Sequence, residues 1–175
     1  MALSPDGRKV AVVARGEVFA ALAKPDPTTP AGDAARVTTT PEAERELAWH
    51  PDSRRLAYTS ERGGRWRVHV YDFATREERA LTSGDPSTGS GGGDVSPRWS
   101  PDGRALAFVR GGRELRVVEV GAAGAADAGS APGRERLVAR AAFDVPPFAD
   151  AASFAWSPDG RWIAYATTAA PKEFT

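Results

Sequence analysis

The chain has 175 residues, 23 basic and 23 acidic side chains and no cysteine. That length suffices for one ordinary domain with a sizeable core. The balanced charge calls for neither nucleic acid nor an anionic membrane, and without cysteine there are no disulfides, no thiol chemistry and no Cys-based zinc site.

The chain opens almost directly on Ser4-Pro5-Asp6-Gly7-Arg8, and variants of this segment return as His50-Pro51-Asp52-Ser53-Arg54, Ser100-Pro101-Asp102-Gly103-Arg104 and Ser157-Pro158-Asp159-Gly160-Arg161. The prolines at 5, 51, 101 and 158 give periods of 46, 50 and 57 residues. Pro presets φ for the second position of a turn, Ser and Asp can bond nearby amides, and Gly takes the left-handed conformation that closes the hairpin. Each copy therefore reads as strand, tight turn, strand. Pro and Gly inside every unit exclude a helix. A period near 40–50 residues with short strands is the pattern of a propeller, one four-stranded sheet per repeat.

In chain order, residues 9–14 and 17–22 read as the second and third strands of a partial first blade, turning at Arg15-Gly16. Residues 24–34 read as a loop and 35–38 as an outer strand. The second blade has strands at 46–49, 54–60, 65–71 and 77–82, with its Gly replaced by Ser53. In its third strand Trp66, Val68 and Val70 share the face expected between sheets, and Arg67, His69 and Tyr71 the other. The Gly/Ser-rich stretch 83–95 is expected to be a surface loop. Strands at 96–99, 104–110, 114–120 and 134–138 complete a third blade, with an Ala/Gly-rich insertion at 121–133. A short apolar stretch at 141–149 leads to a fourth, partial blade with strands at 153–156 and 162–167. Ala11, Ala57, Ala107 and Ala164 recur at one position, so one face of each sheet is expected to lie close against its neighbour.

The fold class is all-β: a partial β-propeller of about three to four four-stranded antiparallel blades, spanning 3–38, 46–82, 96–138 and 152–168 within one domain, 1–175. Met1 sits where an inner strand should already have passed, so a truncated start is expected. Closed propellers have roughly 4–8 blades, and six or seven at ~45 residues each need about 270–315 residues. A segment of a longer protein is therefore expected, with open sheet edges and faces. No apolar run approaches the ~20 residues of a membrane helix, and no signal peptide is visible.

The Ser-Pro-Asp-Gly hairpins resemble the WD40-like (PD40) propeller repeats of the Tol-system propeller protein, prolyl oligopeptidases and tricorn proteases. A more specific likeness runs through Val13-Ala14-Arg15-Gly16-Glu17-Val18-Phe19, Thr38-Thr39-Thr40-Pro41 and Arg45-Glu46 before Ala48-Trp49, which is similar to a propeller segment of tricorn-type serine proteases (peptidase S41 family). The stretch from Phe154 to Tyr165 is similar to a later blade of that segment. The resemblance implies a non-catalytic scaffold that gates peptide access to a catalytic domain outside this chain, in a cytoplasmic protein that is homo-oligomeric at full length. The implied partners are the remainder of the parent polypeptide and peptides, with no nucleic acid, membrane or cofactor. The alternatives are a Tol-like propeller that binds proteins, and the propeller of a prolyl-oligopeptidase-like peptidase. A signal peptide and an N-terminal α/β domain would mark the first of these, an adjoining α/β-hydrolase domain the second.

No catalytic, cofactor-binding or metal residue is assigned. His50 and His69 lie in a turn and in mid-strand without a joining carboxylate pattern, so packed or surface histidines are expected over a metal pair. Asp6, Asp52, Asp102 and Asp159 could ring an ion, but capping of local amides already explains them. Trp49, Trp99 and Trp156 could hold a peptide, yet one repeat position points to blade core. Arg54, Arg55, Arg62, Arg65 and Arg67 could line an anionic path, against a solvated edge. The Gly-rich run at 89–93 lacks the Lys-Ser/Thr of a phosphate-binding loop and the helix of a nucleophile elbow. The Ser-rich run at 83–90 reads as a flexible linker.

Overall fold

A computed structural model of the protein describes residues 1–24, 34–84, 93–120, 133–145 and 153–167. All regular structure among them is β. The first sheet contains β1 (Ala2–Leu3), β2 (Lys9–Ala14), β3 (Glu17–Leu22) and β4 (Ala35–Arg36). The second contains β5 (Glu44–Trp49), β6 (Arg55–Ser60), β7 (Arg67–Asp72) and β8 (Glu77–Ala80). The third contains β9 (Asp94–Trp99), β10 (Ala105–Arg110), β11 (Glu114–Glu119) and β12 (Glu135–Arg140). In the fourth, β13 (Phe154–Trp156) pairs with β14 (Ile163–Tyr165). Every pairing is antiparallel and joins strands in chain order.

The architecture is that of propeller blades, with differences in detail. The first sheet has a two-residue inner strand where β5 and β9 have six: Ala2 pairs with Ala11 and Leu3 with Val10, in the register that Ala48 and Trp49 take with Ala57 and Leu56. The inner strands β5 and β9 begin two residues earlier than predicted, at Glu44 and Asp94, because each carries a bulge that lengthens it. Glu46 and Ser96 occupy these bulges with φ of 52° and 58°, the left-handed conformation that bulges otherwise give to glycine and that is costly for a side chain. The predicted loop at 83–95 therefore ends before Asp94, and its residues 85–92 lie outside the described part, as do 25–33, 121–132, 146–152 and 168–175.

The hairpins follow their local chemistry. Arg15 and Gly16 both have positive φ (53° and 83°) in the two-residue link between β2 and β3, as a type I′ turn requires. In the Ser-Pro-Asp-Gly turns the Gly7, Gly103 and Gly160 amides donate to the Ser4, Ser100 and Ser157 carbonyls at 2.8–2.9 Å.

Sheets stack by a single rule. Small residues on one face of a sheet receive Leu and aromatic residues from the next. Ala11, Val18 and Ala20 meet Trp49, Leu56 and Tyr58. Ala57, Val68 and Val70 meet Trp99, Leu106 and Phe108. Ala107, Val109 and Leu115 meet Phe154, Trp156 and Ile163. Each fully buried Val, Leu or Phe contributes about 1.5–3 kcal/mol, so these joints carry the fold. The second sheet is covered on both faces. Val68 and Val70 lie between sheets as predicted, and the sheet they meet is the third, while Tyr71 packs towards the first and His69, on the same side, is buried as well.

Candidate functional site

The surface with most chemistry is the rim formed by the four proline turns, together with the inner strands beneath it. In three turns the Ser hydroxyl donates to its Asp (Ser4 to Asp6, 2.6 Å; Ser100 to Asp102, 2.6 Å; Ser157 to Asp159, 2.5 Å) and accepts the amide five residues on. Each Asp also accepts the amide two residues on. The Ser hydroxyl, then that amide, hold all three carboxyls below their ordinary range. The Asp recurrence is thus a capping device, each carboxylate bound within its own turn.

The second turn solves the same problem with other atoms. His50 Nδ1 accepts the Asp52 amide at 3.0 Å, and Asp52 itself accepts the amides of Arg54 (2.8 Å) and Arg55 (3.1 Å). That frees the other edge of the ring. His50 Nε2 lies 2.9 Å from the Gly103 carbonyl of the next turn, and the ring stands edge-on to Trp99 at 4.5 Å. Ser53 replaces Gly at φ 57°, and its hydroxyl accepts the Asp6 amide of the preceding turn at 3.0 Å. Lys9 Nζ reaches the Ser53 carbonyl at 3.0 Å. Both substitutions tie neighbouring turns together.

The tryptophans act alike. Trp49, Trp99 and Trp156 donate their indole N–H to the carbonyls of Ala2, Ala48 and Arg98, each in the preceding sheet, at 3.0–3.1 Å. They are inter-sheet clamps; Trp49 and Trp99 are buried, in line with the core reading, whereas Trp156 is half-buried.

A second series of joints was not foreseen. Thr38 accepts the Val18 amide and donates to Glu44 of the next sheet at 2.9 Å. Thr82 accepts the Val68 amide at 3.1 Å and bonds Asp94 of the next sheet. Glu44 is fully enclosed and also takes the hydroxyls of Thr40 and Ser60. Asp94 faces Arg110 in a two-bonded pair at 2.6 and 2.9 Å, and Glu135 takes the other side of that guanidinium. Burial pushes the Asp94 carboxyl up despite Arg110. The signal was present: an acid stands seven residues before the turn proline in the second and third repeats.

On the inner strands, Glu46 accepts both the amide and the hydroxyl of Ser96 (3.0 and 3.1 Å) and the Thr59 hydroxyl (3.2 Å). Burial raises its pKa against these bonds. His69 is buried in mid-strand, with Nδ1 2.9 Å from Glu78 Oε1, and stacks on Tyr58. Burial pushes Glu78 up, but His69, Arg62 and Tyr58 outweigh it and hold the carboxyl at about 2. The two histidines therefore serve separate networks. Three of the five arginines are drawn into separate ion pairs: Arg54 with Asp72, Arg55 with Asp52, and Arg62 with Glu78. Among the described residues no group of three or more His, Asp or Glu is placed to hold a metal ion. The Gly-rich run at 89–93 and Ser-rich run at 83–90 lie almost wholly outside the described residues. Exposed and repeated on the rim are Arg8, Arg104 and Arg161, one after each turn glycine.

No protein-family model matches the chain. The Tol-Pal system protein TolB of Alcanivorax borkumensis is 35% identical over 81 residues, 44% of this chain and 17% of that protein. The crystal structure of TolB from Acinetobacter baumannii superposes with a TM-score of 0.61 at 20% identity, over 95% of this chain and 37% of its own. The crystal structure of the tricorn protease gives a TM-score of 0.68 at 16% identity, over 100% of this chain and 14% of its own. The chain thus spans well under half the length of each, and at these identities the solved structures show a shared TolB-like propeller fold.

Proposed function

We propose that the chain is a non-catalytic propeller segment that presents a rigid rim to polypeptide ligands. The observation that carries this reading is the assignment of the recurring polar groups. Asp, Ser, His50 and the tryptophans are each bound into a turn or a joint, while Arg8, Arg104 and Arg161 repeat outward on the same rim. Spaced guanidinium groups suit carboxylates of an acidic, extended peptide.

Two settings fit such a segment. In the first it frames the path of peptides towards a serine-peptidase domain elsewhere in a cytoplasmic, oligomeric tricorn-like protein, with no cofactor of its own. The superposition of this whole chain on 14% of the tricorn protease is in keeping with this setting. In the second it is a protein-interaction module of the TolB kind, favoured by the sequence likeness over 81 residues.

Fluorescence polarisation with a labelled, unstructured acidic peptide tests the proposal. Saturable binding is expected, weakened by salt and by Arg104→Glu. No saturation up to about 1 mM, an affinity worth only ~4 kcal/mol, overturns it, and so does peptide hydrolysis that persists through repurification.

A further inference from the structure

An arginine follows each of the four turns, and one of the four is withheld from the rim. Consecutive turns are in contact. The Asp6 amide donates to Ser53 Oγ at 3.0 Å, His50 Nε2 lies 2.9 Å from the Gly103 carbonyl, and a Cβ on Gly160 would stand 3.6 Å from Pro101 Cδ. Arg8, Arg54, Arg104 and Arg161 therefore form one row, one per turn, and all four are exposed. Arg104 is exposed with a described turn on either side, so exposure belongs to the repeat position itself.

Arg54 differs in what holds it. Its Nε and Nη2 donate to the two oxygens of Asp72 at 2.8 and 3.0 Å, the two-bonded geometry that suits a guanidinium and a carboxylate. Asp72 opens the turn between β7 and β8, and its Oδ1 also accepts the Ala74 amide at 2.8 Å. The carboxylate is thus fixed by its own turn as well as by Arg54. The register that sets Asp72 opposite Arg55 sets Leu22 opposite Lys9 in the first sheet and Glu119 opposite Ala105 in the third. Leu22 offers no carboxylate, and Glu119 is exposed, with no ion pair to Arg104. The neighbouring cations are occupied too, Lys9 on the Ser53 carbonyl and Arg55 on Asp52. A ligand carboxylate at the second turn would have to displace one that is already bound twice and tethered to the same sheet.

We propose that Asp72 is a specificity-determining residue of the rim: it takes the second turn out of the row, and an acidic polypeptide is held by the guanidinium groups of the adjacent third and fourth turns, Arg104 and Arg161. The ligand in this inference rests on the peptide-binding reading; the withdrawal of Arg54 does not.

Two measurements on the 175-residue chain separate these parts. Labelling with an arginine-selective dicarbonyl reagent, read by peptide mass mapping, needs no ligand. Arg54 should react several-fold more slowly than Arg104 in the wild type, and at a similar rate in Asp72→Asn, which keeps an oxygen for the turn amide. Equal rates in the wild type, or no acceleration in the variant, overturn the proposal. Fluorescence polarisation with a labelled acidic peptide then reads the ligand. Arg54→Ala should leave the dissociation constant within about twofold, Arg104→Ala should raise it about fivefold, and Asp72→Asn should lower it about threefold, effects of the size of exposed ion pairs. Arg54→Ala combined with Asp72→Asn should return it to the wild-type value. A loss in Arg54→Ala equal to that in Arg104→Ala overturns the proposal. So does a gain in Asp72→Asn that survives in the double variant, since net charge alone would then account for it. Slow labelling of Arg54 without saturable binding overturns the peptide-binding reading and the ligand named here, not the withdrawal of Arg54.

Discussion

At the residue scale, the turn glycines separate backbone conformation from contact. Gly7 and Gly103 have nearly equal φ, 69° and 71°, but a Cβ on Gly7 meets nothing within 4 Å, whereas one on Gly103 would come within 2.1 Å of His50 Nε2. Gly7→Ala should therefore cost about 1 kcal/mol, the left-handed penalty alone. Gly103→Ala should cost roughly twice that or more, because it also breaks a buried hydrogen bond. Urea denaturation of both variants measures the difference, and equal losses would mean that the His50 joint adds nothing. Glu78 sets a pH dependence. Its folded pKa of about 2 lies below the ordinary 4.5, so its contribution is fully present above pH 4.5 and is lost as pH falls towards 2. In Glu78→Gln the urea midpoint should fall less steeply over that window than in the wild type. A parallel decline in both proteins would remove Glu78 from the account.

At the scale of elements, stability resides in the joints between sheets, and these are of two kinds. Trp99→Phe keeps most of the apolar contact but leaves the Ala48 carbonyl without its donor; the expected loss is about 1–2 kcal/mol. Arg110→Ala strands Asp94, whose side chain is 0% exposed, and leaves Glu135 with Arg116 at 3.3 Å. Leaving a buried charge unpaired costs about 3–5 kcal/mol, so this variant should be among the least stable, by chemical denaturation at neutral pH. The edges are managed differently. The outer strand β8 is Glu77-Glu78-Arg79-Ala80, and β12 flanks the exposed Leu137 and Val138 with Arg136 and Arg140. Such charges discourage pairing with another chain's edge.

At the scale of the whole molecule, the described residues cover the second and third sheets on both faces, and the first and fourth on one. Amide exchange in the monomer should then be slowest in β6 and β10, whose residues are buried almost throughout, and faster in β2 and β14. Uniform protection of all four sheets would contradict the stacking hierarchy.

The sequence by itself determined the repeat, the turn and the strand faces. Proline and glycine at fixed offsets, and alternation of Leu-Ala-Tyr or Leu-Ala-Phe, act within a few residues, where backbone sterics and the two-residue period of a strand decide the outcome. The core role of Trp49 and Trp99 was legible for the same reason. Only the tertiary structure decided which turns touch and what fastens them. That His50 reaches Gly103, that Ser53 serves Asp6, that Thr38 and Thr82 hold Glu44 and Asp94, and that Glu46 grips Ser96 across a bulge all depend on the rotation and spacing between sheets. Those quantities are set by side-chain volumes packed from positions far apart along the chain. A local pattern contains the volumes but not the distances that result from packing them.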